Sequence, residues 1–138
     1  MNKLDKPHKV VIGLEILLAV GALAGGATLF WLPDGSGFGM PLSMLEHTGF
    51  KSFRMPGLLL FVVNGVFPLV SALAILRRYS WAASSAIAVG VLLVGWITVQ
   101  VTLLRYFYVP LHGFYLLLGM MIATLGLVLY RSEHRLRH

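Results

Sequence analysis

Long apolar runs separated by short polar breaks set the pattern of this chain, with one exception between the first two runs. The runs extend over about residues 10–32, 57–76, 81–104 and 112–130. Each is long enough to cross about 30 Å of hydrocarbon as a helix rising about 1.5 Å per residue. The pattern predicts an all-α fold, an integral membrane four-helix bundle. The breaks Arg77-Arg78-Tyr79-Ser80 and Arg105 to Leu111 are short, so the last three spans follow one another as antiparallel hairpins. The exception, Pro33 to Gly57, holds Asp34, Glu46, His47, five of the fifteen glycines and three of the six prolines. It predicts a long loop in which Pro41 opens a short interfacial helix, Pro41 to Glu46.

Composition supports this reading. A chain of 138 residues with 58% apolar and 12% charged content and a mean hydropathy of +0.84 forms one transmembrane domain, residues 1–138, with the bilayer as its main partner. The lysine-rich start and Ala22-Leu23-Ala24 resemble a signal peptide, but the apolar run continues through Trp31 and Leu32, so it reads as a span. The net charge of +6 lies at the ends of the runs and marks topology rather than a nucleic-acid surface. Lys3, Lys6, Lys9, Arg77, Arg78, Arg131, Arg135 and Arg137 fall on one side, and Lys51, Arg54 and Arg105 on the other. The positive-inside rule then puts both termini in the cytoplasm and the Pro33–Gly57 loop outside, in a multi-pass protein of the bacterial inner membrane. The chain has no cysteine, which excludes disulfide, thiol and thiolate-metal chemistry.

Candidate chemistry comes from polar groups at membrane depth, which are costly without partners. Asn64 lies roughly 10 Å below the loop end of span two. Gln100 lies about one turn below the end of span three, and Trp96 one turn deeper; Arg105 is at the mouth, and His112 and Tyr115 begin span four. With Asp34, Glu46 and His47 they form a candidate ligand pocket roofed by the loop. The alternative for Asn64 and Gln100 is interhelical hydrogen bonding worth about 0.6 kcal/mol each. His47, His112, Glu46 and Asp34 have no diagnostic metal spacing, and neither a metal nor a cofactor is expected. Pro33-Asp34-Gly35 reads as a tight turn before an ion-binding loop. Pro68 should interrupt span two near Val63-Asn64.

Glu15 sits on the opposite, basic half. It is expected to pair with Arg77 or Arg78, or alternatively to couple protons or cations as in the small four-span multidrug transporters. Gly21 and Gly25, and Gly119, Ala123 and Gly126, give smooth faces for packing or for a homo-oligomer or membrane-complex partner.

The strings PDGSGFGMP, LEHTGF, PGLLLFVVNGVFPL and GWITVQ resemble small bacterial four-helix membrane proteins distantly similar to the DoxX-like group. That resemblance spans roughly Gly21 to Gln100. It implies a four-helix bundle with a glycine-rich first helix, matched by Gly25-Gly26, and a Pro-Gly opening of the second, matched by Pro56-Gly57. Some relatives are linked to thiosulfate or quinone oxidation or to soluble partners. Without cysteine or facing histidines within the spans, the redox activity is not expected here. Two functions are expected instead: an accessory subunit or small-ligand-binding membrane protein, or a transporter or membrane enzyme using Glu46, His47, Gln100, Arg105 and His112.

Overall fold

The computed structural model describes residues 6–46, 48–105 and 109–137, and among these the regular elements are all helical. Helix α1 covers Lys6–Trp31, and the second span begins as α2 (Arg54–Phe61). It passes through a π-helical turn (Val62–Val66) and continues as α3 (Phe67–Leu76). Helices α4 (Ala82–Leu104) and α5 (Val109–Arg137) complete the chain. Four stretches are long and apolar enough to cross a membrane: Lys6–Trp31, Arg54–Leu76, Ala82–Leu104 and Val109–Arg135.

The burial pattern is that of a membrane bundle. Glu15, Asn64, Ser71, Ser85 and His112 are buried, whereas Ile16, Leu17, Val20, Leu69, Val70, Leu73, Val91, Leu117 and Met121 are exposed. A helix that places polar groups inward and leucines outward is suited to lipid, where exposed polar groups lack partners.

Close backbone approach fixes the register. Gly26 lies against Gly57 and Phe61 so tightly that a Cβ on Gly26 would come within 2.6 Å of the Gly57 carbonyl. Farther along, Gly65 meets Leu23, so α1 and the second span run antiparallel. Gly90 meets Gly119 and Ala123, and Gly126 meets Ala86 and Ile87, which joins α4 to α5 in the same way. The small-residue faces centred on Gly26 and on Gly119–Gly126 are therefore occupied within one chain. Helices α3 and α4 also touch, as do α1 and α5, which closes the bundle.

Pro68 explains the π turn. It lacks the N–H that the carbonyl of Asn64 would accept from in a continuous α-helix. The chain responds one turn earlier: Phe67 N–H bonds to the Val62 carbonyl, an i to i−5 bond. The interruption expected near Val63-Asn64 thus takes the form of a π turn with Asn64 and Gly65 on its buried side.

The segment between α1 and α2 is folded over the bundle end. The Phe53 N–H bonds to the Pro33 carbonyl at 2.8 Å, closing its base. Arg54 Nε reaches the Phe30 carbonyl at 3.3 Å, and the guanidinium lies 5.4 Å from the Phe30 ring centre. Where a helix was expected at Pro41 to Glu46, Leu42–Leu45 forms a single 3-10 turn. Only Leu45 of that turn is buried, packing with Leu29 and Phe53 and flanked by Met40, Met44 and Leu104.

Candidate functional site

The second span places polar groups in the core at two levels. The first is near the basic end. Glu15 on α1 is completely buried, and its Oε1 lies 2.7 Å from Ser71 Oγ on α3. Ser71 Oγ lies 2.7 Å from Ser85 Oγ on α4, and Ser85 donates to the Ala82 carbonyl at 2.6 Å. Four oxygens from three spans thus form one continuous chain. Glu15 Oε2 is also buried and has no hydrogen-bond partner.

This corrects the arginine pairing expected for Glu15. Ser71 stands on the buried face of α3 with Ala72 and Ile75, whereas Arg77 and Arg78 lie at the exposed end of that span. A hydroxyl six residues before the arginines therefore reaches the carboxyl. Sequence reasoning missed both serines. The available signal was a serine inside the apolar run FPLVSALAIL, at a depth matching Glu15 on the antiparallel neighbour.

The second level lies seven residues from Ser71, roughly 10 Å along the helix. Asn64 is 1% exposed, and both its side-chain oxygen and its nitrogen are buried without a hydrogen-bond partner. An unpartnered buried polar group costs about 1–3 kcal/mol. The π turn that holds Asn64 is the kind of helix defect often associated with functional sites.

The other candidates are spread between core and surface. His112 is buried near the start of α5. Tyr115 is half-buried and reaches α1, where its hydroxyl occupies the space left by Gly21, 2.9 Å from where a Cβ would stand. Trp96 and Tyr115 both pack against the cluster of Leu18, Val89, Leu93, Ile97, Leu118 and Ile122. Gln100 is half-buried. Arg105 is exposed and ends α4 in a left-handed conformation with φ 55°.

The loop acids face outward. Glu46 is exposed, and Asp34 is exposed in a turn where its Oδ1 accepts the Ser36 N–H at 2.9 Å. That backbone donor holds the Asp34 carboxyl below its ordinary range. Gly35, with φ 81°, supplies the left-handed residue that the turn requires. His47 lies outside the described residues. Among the described residues, no three His, Asp or Glu side chains converge on a common metal position. The loop's inner side, built on Leu45 and Phe53, is apolar rather than charged.

Comparison with protein families, curated proteins and solved structures finds no match for the chain.

Proposed function

We propose that this is a small-ligand-binding protein of the bacterial inner membrane, with DoxX-like architecture and both termini in the cytoplasm. It holds a molecule with a polar head and an apolar body in the half of the bundle closed by the Pro33–Gly57 segment. One observation carries the reading: Asn64, buried in a π turn, presents a complete primary amide without a partner among the described residues. Such an amide offers two donors and one acceptor, which suits a carboxyl, carboxamide or hydroxy-carbonyl group. Leu45 and Phe53 pack on Leu29 and close that half with apolar side chains, which suits an amphiphilic molecule better than an ion. Tyr115, Trp96, Gln100 and His112 are the further polar or amphipathic groups of that half.

The test is to purify wild type and Asn64→Leu in mild detergent, extract each with solvent and compare small molecules by mass spectrometry. A compound present at about one per chain in wild type and absent from a folded Asn64→Leu protein supports the assignment. Identical extracts from both proteins overturn it. Orientation is tested separately, because the chain has no cysteine. Single cysteines at Ser36 and Ser132 are expected to react with an impermeant maleimide in intact cells at Ser36 only; reaction at Ser132 reverses the topology.

A further inference from the structure

We propose that Glu15, Ser71 and Ser85 form a proton-binding site in the bundle core, with the proton resident on the Glu15 carboxyl. Three oxygen–oxygen contacts run in series: Glu15 Oε1 to Ser71 Oγ at 2.7 Å, Ser71 Oγ to Ser85 Oγ at 2.7 Å, and Ser85 Oγ to the Ala82 carbonyl at 2.6 Å. All three distances are those of O–H···O hydrogen bonds. The two serines supply only two hydrogens, and the carbonyl supplies none.

An ionised Glu15 therefore leaves one contact as a bare approach of two oxygens. If Ser71 donates to Glu15 and Ser85 to Ala82, no hydrogen lies between the serines. If Ser85 turns to Ser71, the 2.6 Å contact with Ala82 is left empty. A third hydrogen on Glu15 Oε1 removes the conflict. Glu15 then donates to Ser71, Ser71 to Ser85, and Ser85 to Ala82, with every contact filled once.

Burial points the same way. Glu15 and Ser71 are wholly inaccessible, and Oε2 has no donor to stabilise a second charged oxygen. Toward the basic end the neighbouring elements carry Lys6, His8 and Lys9 on α1, Arg77 and Arg78 after α3, and Tyr130, Arg131, Glu133, His134 and Arg135 on α5, with His8 Nε2 4.0 Å from Glu133 Oε1; His112 and Tyr115 stand near the opposite end of α5. Helix α4 contributes no charged residue. His8 is two turns of α1 from Glu15, roughly 10 Å along the helix.

The experiment is infrared spectroscopy of the full chain in lipid nanodiscs at neutral pH, with 13C-labelled glutamate and with H2O exchanged for D2O. Wild type is expected to give a carboxylic-acid C=O band that moves with both the label and deuteration. Glu15→Gln, whose amide N–H supplies the third hydrogen permanently, is expected to fold and to lose the band completely. Ser71→Ala keeps the band but shifts it, because the acid loses its acceptor, and this arm stands even if Glu15→Gln does not fold. Absence of the band in wild type overturns the proposal. So does its persistence in Glu15→Gln, or an unmoved band in Ser71→Ala.

Discussion

Ser71 and Asn64 occupy the same buried side of one span, seven residues apart, yet they solve the problem of a polar group in a membrane core differently. Ser71 lies in regular α3 and bridges Glu15 on one neighbour to Ser85 on another. Asn64 lies in the π turn, where its amide has no partner among the described residues. The difference is one of register. Around Ser71, small side chains such as Ala72, Ala82, Ala83 and Ala86 pack closely and bring hydroxyl oxygens within 3 Å of one another. Around Asn64, the Gly26–Gly57 and Leu23–Gly65 contacts seat α1 against the backbone of the second span, but bulky Leu23 occupies the neighbouring groove. The first region joins three spans through its hydrogen bonds, with Glu15 Oε2 alone left over; the second leaves a whole amide without a partner among the described residues.

The largest expected effect comes from breaking the satisfied region. Ser71→Val removes the hydroxyl between Glu15 and Ser85 and leaves a buried carboxyl with no partner, at an expected cost of about 1–3 kcal/mol. The double variant Glu15→Leu/Ser71→Val removes both ends of the contact and should recover much of that loss, because an apolar pair of similar volume carries no unsatisfied group. Thermal or denaturant unfolding in a fixed detergent measures both. A single variant as stable as wild type would show that the chain of oxygens contributes nothing to folding.

Asn64→Leu makes the contrasting prediction. Exchanging an unpartnered buried amide for an apolar side chain of similar size should leave stability unchanged or raise it by up to about 1 kcal/mol in protein stripped of small molecules. The same substitution should lower stability relative to wild type when the native extract is added back, because only Asn64 then gains from binding. If Asn64→Leu destabilised the stripped protein as much as Ser71→Val does, the two regions would be alike and the comparison would collapse.

What the sequence made legible follows from the range of each signal. Span length and hydropathy are summed over about twenty residues, so the four membrane-crossing helices stand out despite Asn64, Pro68 and Gln100 within them. The break at Pro68 was readable because a missing N–H acts on its own helix; that Gly65 of the resulting π turn meets Leu23 was not, because Leu23 lies on another helix. The partner of Glu15 was not readable from charge, because the nearest opposite charges in sequence depth, Arg77 and Arg78, sit past the end of α3. Ser85 illustrates the remaining gap: it is buried while adjacent Ser84 is exposed, and only the packing of α4 against its neighbours separates two identical residues. The loop was visible as a polar stretch, but which of its residues turn inward depended on Leu29 and Leu104 beneath it.

The smallest expected effect tests whether the contrast depends on the membrane. Asp34, like Glu15, has a carboxyl oxygen in a hydrogen bond, here accepting the Ser36 N–H at 2.9 Å, but it does so on an exposed turn where water can replace the partner. Its bond to the Ser36 N–H lowers its folded-state pKa below the ordinary 3.8, so the folded protein binds the proton more weakly than the unfolded chain. The resulting stabilisation is fully present above the unfolded value and is lost as pH falls through the folded one. Asp34→Ala should therefore give an unfolding midpoint slightly below wild type near neutral pH, with the two curves converging below about pH 3.8. A gap that stays constant down to the lowest pH would mean that the aspartate acts through the shape of the turn. A gap as large as that of Ser71→Val would mean that exposure to water does not distinguish the loop from the core.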